Sequence, residues 1–306
     1  MTGGEGNISQ ELIRLSISHE SEKTGDVITG TILHIFVSIL TALENLLVLI
    51  TILGSSRLRV SPSNILLCGL VLSDLCTGLI SEPCFIALQI LVYQNKLTSC
   101  VFPIVHVIIS SFLKGVSLFT VTAISIDRYF AIYFHLRYPE IVTEKRAQIA
   151  LVCLWFLSGM ASIAWSSGYV VFSQVTLIVT TVCLVAVFYT WTKVYQVMRR
   201  HQAQIHAHRN TGPRQMDMCR LKTSFINTMY ILMIFLVCYL PYLLISFVFA
   251  YELHPTDATF SLYMFFYFFT LVNSLLNPLL YCWRDHSIRS AAKQTLKKLF
   301  CKSQSQ

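Results

Sequence analysis

Four polar residues recur along one apolar run at spacings that a helix turns into a single stripe. Ser110, Lys114, Ser117 and Arg128 are separated by four, three and eleven residues, the last close to three whole turns. Asp127 stands immediately before Arg128, in the stretch SIDRYFAIYFHLRYPEIV from Ser125 to Val142. Asp74, Glu82, Asn45, Asn273, Ser274 and Asn277 place further polar groups in other apolar runs. An ionisable group at bilayer depth is costly unless it faces protein or water, so the chemistry this pattern suits is partner exchange and ligand binding inside a bundle. A guanidinium at the end of a span can change partners between two packings. An ammonium deeper on the same stripe must find an anion, become neutral or stay hydrated. Two plainer readings stand beside these: an interhelical hydrogen-bond network worth about 0.6 kcal/mol per contact, and a snorkelling interfacial cation. No P-loop, zinc-protease helix or nucleophile elbow is present, so no catalytic residue is expected and the chain does not read as an enzyme. His206-Ala207-His208 has no carboxylate or cysteine beside it and is not expected to hold a metal.

The elements that must position these groups follow from composition. Of 306 residues 55% are hydrophobic and 12% charged, and the mean hydropathy is +0.62, too apolar for a water-soluble domain of this length. Seven apolar runs reach or approach the roughly 20 residues that cross about 30 Å of hydrocarbon. They lie near 27–53, 64–93, 101–133, 147–165, 169–198, 221–250 and 258–283. None alternates polar and apolar in the manner of a barrel strand, so the expected fold is an all-α membrane protein: a seven-transmembrane helix bundle with a short amphipathic eighth helix. The expected organisation is an extracellular tail over 1–26, the bundle over 27–284, and a cytoplasmic amphipathic helix and tail over 285–306.

Charge sets the orientation. Arg14, Lys23 and Lys96 fall on the side of the N-terminus and Lys114 within a span, leaving 19 of the 23 Lys and Arg on the other side. The positive-inside pattern then puts the N-terminus outside and the C-terminus in the cytoplasm. The first 26 residues lack a basic start followed by an apolar core, so no cleaved signal peptide is expected. Asn7 heads a glycosylation sequon in the same exterior tail. Of ten cysteines, Cys68, Cys76, Cys153, Cys183 and Cys238 lie in spans and read as small apolar residues, while Cys84 and Cys100 lie near the outer surface, where a bridge could form. The polar, basic stretch from Arg199 to Arg220 is expected as a cytosolic loop. CWRDHSIRSAAKQTLKKLFC, ending at Cys301, reads as a basic amphipathic helix on the inner leaflet with Cys301 a palmitoylation candidate.

Six short motifs, in order, carry a resemblance. ENLLVL from Glu44, LVLSD from Leu70, SIDRY from Ser125, Trp155, CYLP from Cys238 and NPLLY from Asn277 are similar to the signatures of rhodopsin-like (class A) G-protein-coupled receptors. The resemblance covers roughly 27–301. It implies binding of an extracellular ligand and activation of a heterotrimeric G protein, with Asp127, Arg128, Tyr129, Asn277, Pro278 and Tyr281 as the switch. It also implies a bound sodium ion at Asp74, Ser117, Asn273, Ser274 and Asn277, the only cofactor or metal expected, and a loop FHLRYPEIV lying against the G protein.

The outer end departs from that pattern. No cysteine and almost no loop separate Trp165 from the fifth span, so Cys100 lacks its usual partner. The fifth span has no proline, Trp191 stands where a tyrosine is usual, and Tyr239 replaces the tryptophan of the sixth-span box. Leu221 occupies a position where many relatives carry an acid and Asp217 is about a turn away, so the resting clasp on Arg128 is expected to rest on Asp127. These features together resemble the melanocortin, cannabinoid, lysophospholipid and adenosine receptors. Ser110 holds the place of the aspartate that amine receptors use, which favours a lipid, peptide or nucleoside over an amine. The expected pocket comprises Glu82, Ser110, Lys114, Tyr239 and Tyr242. Lys114 lies about 21 Å outward of Arg128 by helix rise. It is read either as the pocket floor, selecting an acidic or strongly hydrogen-bond-accepting ligand, or as the partner of Glu82, the one other ionisable group placed at similar height. A seven-helix transporter and a receptor-shaped scaffold that binds without signalling are the alternatives, the transporter disfavoured because neither paired repeats nor broken spans are visible.

Overall fold

The computed structural model describes residues 24–94, 96–97, 101–134, 137–163, 169–207, 230, 233–248, 251, 256–284 and 286–303. Every regular element among them is helical. The apolar runs become α1 (Thr24–Gly54), α2 (Pro62–Tyr93), α3 (Val101–Tyr133), α4 (Glu144–Ile163), α5 (Tyr169–Ala207), α6 (Met233–Val248) and α7 (Asp257–Arg284), followed by α8 (His286–Ser303). Apart from α6, each of the seven is long and apolar enough to cross a membrane. The flanks of α6 lie outside the described residues, as do Asn7, Cys100, Trp165, His208, Asp217 and Leu221. The protein is thus a multi-pass bundle of seven helices with an eighth appended.

Three boundaries differ from the hydropathy reading by three residues or more, one of them the start of α4 at Glu144 where 147 was expected. α1 begins at Thr24, ahead of the expected 27. α5 continues to Ala207, so residues 199–207, expected in a loop, are helical. Hydropathy registers where the lipid ends, whereas helix formation depends on propensity, and no Gly or Pro interrupts the chain between Tyr169 and Ala207.

α3 is central, packing against α2, α4 and α5, while α1 packs against α2, α7 and α8. Val48 and Ile52 of α1, Leu70 and Val71 of α2, Val121 of α3 and Phe235 of α6 form one buried cluster. Outward faces carry Phe36 and Leu43 on α1, Phe156 and Met160 on α4, and Val182 and Val185 on α5. That inversion is what a lipid solvent requires. α1 and α2 approach closely at Gly78, where an added Cβ would lie 2.9 Å from the Ala42 nitrogen and 3.0 Å from the Ser38 carbonyl oxygen. Only a residue without a side chain fits there, and the Ser38 hydroxyl donates to the Gly78 carbonyl at 2.8 Å.

Two prolines shape the interior. Pro83 would clash with the Leu79 carbonyl of a regular helix and has no N–H to offer. α2 absorbs it in a π turn, Thr77–Ser81, which shifts the register of everything outward of it and leaves Glu82 only 2% exposed. Pro278 lies inside α7 and frees the Ser274 carbonyl from the helix ladder. Asn45 of α1 donates its amide to that carbonyl at 3.2 Å and to the Thr41 carbonyl at 2.9 Å. A neighbouring helix therefore supplies the donor that the proline removed.

Candidate functional site

Three polar centres succeed one another along α3. At its C-terminal end Asp127 is buried while the Arg128 side chain keeps 21% of its surface exposed, and the Arg128 Nη2 lies 3.4 Å from Asp127 Oδ2. The carboxylate has two further donors: the Ser63 hydroxyl at the start of α2, 2.7 Å from Oδ2, and the Tyr138 hydroxyl in the turn after α3, 2.7 Å from Oδ1. Asp127 thus ties α2, α3 and the α3–α4 connection together, and holds Arg128 with what remains. Burial and the adjacent Asp127 carboxylate push the Tyr138 phenol up to about 12, so it stays a donor throughout the physiological range. Tyr129 faces elsewhere, stacked on Tyr133 with ring centroids 5.4 Å apart, and packs with Trp191 against Ile132 and Val194.

About three turns back along α3 lies Ser117, beside the Asp74 centre. Asp74 is fully buried and accepts hydrogen bonds from Ser274 at 2.8 Å, Asn277 at 2.9 Å and, more loosely, Ser117 at 3.4 Å. The Ser73 and Ser117 hydroxyls meet at 3.0 Å. The structure therefore brings α2, α3 and α7 together around one carboxylate. Asn273 keeps both amide atoms, and Asn277 its amide oxygen, buried without a partner among the described residues. Of the remaining switch residues, Pro278 is buried in α7 and Tyr281 lies on the same helix, its side chain outside the description.

The third centre surrounds Lys114. Its Nζ sits 4.4 Å from the ring centroid of Tyr242 on α6 and 4.0 Å from that of Tyr267 on α7, where aromatic faces stabilise a desolvated cation by up to about 2 kcal/mol. Glu82 does not pair with it. The Glu82 Oε2 lies 2.9 Å from Nδ1 of His34 on α1, in a pocket walled by Phe85 and Phe268. Glu82 is also not the only other ionisable group at this height, since His34 and His106 lie there too, the His106 Nε2 3.3 Å from the Tyr267 hydroxyl. The register shift of the π turn is the physical reason: it turns Glu82 towards α1. A cavity of about 90 Å³ between α3, α4, α5 and α6 is lined by Lys114, Tyr239 and Tyr242 but not by Glu82 or Ser110, both of which are buried. Tyr239 stacks on Phe235 with centroids 4.1 Å apart. Cys84 is a free thiol.

Sequence reading missed Ser63, Tyr138, His34, His106 and Tyr267. Three had a signal. Tyr138 stood in the quoted loop, His106 lies four residues before Ser110 on the α3 stripe, and Tyr267 lies seven before Ser274 on the same face of α7. His34 and Ser63 had none, because only helix rotation brings them to their partners.

A family model described as 7 transmembrane receptor (rhodopsin family) matches residues 44–168 and 160–281. The chain is 25% identical over 292 residues to melanocortin receptor 4 of Danio rerio, covering 90% of this chain and 85% of that protein. It is 27% identical over 292 residues to cannabinoid receptor 2 of Mus musculus, covering 89% of this chain and 82% of that protein.

Proposed function

Because the chain belongs to the rhodopsin family of seven-transmembrane receptors and is a G-protein-coupled receptor, with a G protein and an extracellular ligand as its partners, we propose that its ligand carries an acidic or strongly hydrogen-bond-accepting group that docks on Lys114. One observation carries this reading: an ammonium facing a cavity is held by ring faces of α6 and α7 and has no carboxylate paired to it among the described residues. An anion is a stronger partner for an ammonium than a ring face. Its arrival would pull Lys114 from Tyr242 and alter the packing of α6, the helix whose outward swing frees the arginine in this family. At the other end Asp127 clasps Arg128 at rest, and Arg128, with Tyr129, Asn277, Pro278 and Tyr281, meets the G protein when released. The two relatives bear names of unlike ligands, a melanocortin and a cannabinoid, so they do not choose between peptide and lipid.

The same reading places the receptor in the plasma membrane with its N-terminus outside, glycosylated at Asn7 and palmitoylated at Cys301. It places a sodium ion at Asp74, Ser117, Asn273, Ser274 and Asn277. The donor set fits, being one carboxylate, two hydroxyls and two amide oxygens left without partners in a buried space. When bound, sodium would neutralise the carboxylate and favour whichever packing holds it better. The test is a G-protein activation assay in cells over lipids, peptides, nucleosides and amines, run on the parent and Lys114→Met at matched surface levels. Activation by acidic members that is lost in the variant supports the assignment. An amine agonist acting equally on both would overturn it.

A further inference from the structure

Resting on the acid-anchor reading of Lys114, we infer that the ligand is a single-chain amphiphile with a carboxylate head: the head sits on Lys114 and the hydrocarbon chain runs between α4 and α5. The cavity wall beyond Lys114 is largely apolar, with Leu118, Phe119, Val179, Leu243 and Phe247 interrupted by the scattered hydroxyls of Ser111, Ser173, Thr176, Thr180 and Ser246. Two hydroxyls that α4 offers to it are already committed, Ser158 donating to the Phe112 carbonyl at 2.6 Å and Ser162 to the Gly159 carbonyl at 2.8 Å. A nucleoside or a peptide would bring a dense set of donors and acceptors, and each that met no scattered hydroxyl would weaken binding. A hydrocarbon chain brings none.

Charge narrows the head group. One ammonium between two rings neutralises one carboxylate. A phosphomonoester carries about −1.5 to −2 charges and three acceptor oxygens, which call for an arginine or a second lysine. Among the described residues no Arg, second Lys or His lines the cavity. Volume places the chain. About 90 Å³ holds the head and the first few methylenes, so a longer chain must leave the cavity. α4 and α5 both line it, touch each other only sparsely among the described residues, and present exposed apolar faces outward. The chain passes between them to the bilayer, where an amphiphile is already concentrated by partitioning.

The experiment uses the full chain in lipid nanodiscs with tritiated oleate as probe. Saturable binding is expected, displaced by unlabelled oleate but not by oleyl alcohol, methyl oleate or acetate, and weakened at least about tenfold in Lys114→Met. The alcohol, ester and acetate comparisons are made on the parent protein, so they decide the matter even if the variant folds poorly. Equal displacement by oleyl alcohol, or tighter displacement by lysophosphatidate than by oleate, would overturn the carboxylate head. Lys114-dependent binding of adenosine monophosphate or a glutamate peptide, with oleate inert, would overturn the amphiphile and leave the acid anchor standing. Acids binding Lys114→Met as tightly as the parent would overturn the anchor itself, and no saturable binding of any probe would overturn both.

Discussion

The inner and outer halves of the bundle hold their charged groups in opposite ways. Towards the Arg128 end, Asp74 and Asp127 are each surrounded by three donors: Ser117 of α3 with Ser274 and Asn277 of α7 for the first, and Ser63, Tyr138 and Arg128 for the second. Outward, Lys114 rests on two tyrosine faces while the carboxylate nearest in height is held by His34. A carboxylate saturated by hydrogen bonds fixes the positions of the helices that supply them. An ammonium on ring faces is held without directional bonds, so an incoming anion can displace the rings. On the proposed function, the half around Asp74 and Asp127 would keep one of two packings, and the half around Lys114 would be rearranged by what enters it.

The largest expected effect tests the inner half. Arg128→Ala should reduce G-protein activation to background with surface expression near that of the parent, because the side chain is partly exposed and contributes little to the core. Equal signalling at matched surface levels would remove the switch role. Next comes the division between Glu82 and Lys114. Glu82→Gln or His34→Ala should each lower surface expression, since removing one member of a buried pair costs about 1–3 kcal/mol, and the exchange His34→Glu with Glu82→His should restore much of it. Recovery by exchanging Glu82 with Lys114 instead would restore the pairing that the structure does not contain.

A smaller effect is expected at Asp74. If sodium binds there, agonist affinity in the parent should fall on adding sodium chloride, by about fivefold or more for a coupling of 1 kcal/mol or above. In Asp74→Asn it should not change beyond the effect of potassium chloride. Sodium independence in both proteins would remove the ion from the scheme.

The smallest effect concerns Tyr138. Tyr138→Phe removes one of the donors to Asp127 and should raise basal signalling by at most about fivefold, the share of a hydrogen bond worth about 1 kcal/mol. The sign with pH follows from the phenol, which rises from 10.0 to about 12 on folding. Its stabilising contribution is fully present below about 10 and is lost as pH climbs through about 12. Basal activity between pH 6 and 9 should therefore carry no step from this residue, and a step present in the parent but absent in Tyr138→Phe would contradict the hydrogen bond.

The sequence by itself determined the solvent, the number and order of the spans, and the depth of each polar residue. Hydropathy and the 3.6-residue period are local properties that each run carries within itself. That is why the α3 stripe of Ser110, Lys114, Ser117 and Arg128 was legible, and why the short motifs sufficed to recognise the family. Which groups face one another was decided only by the tertiary structure. Pairing across helices depends on the rotation of each helix about its own axis, and in α2 that rotation is changed partway along by the π turn before Pro83. That register shift turns Glu82 to His34, separated by 48 residues of chain, and away from Lys114, the pairing that was one of two readings of the sequence. Asp127 likewise gained Ser63 from 64 residues away because α2 and α3 cross there. Neither contact leaves a periodic trace in the sequence, since each is set by where two separately periodic segments meet.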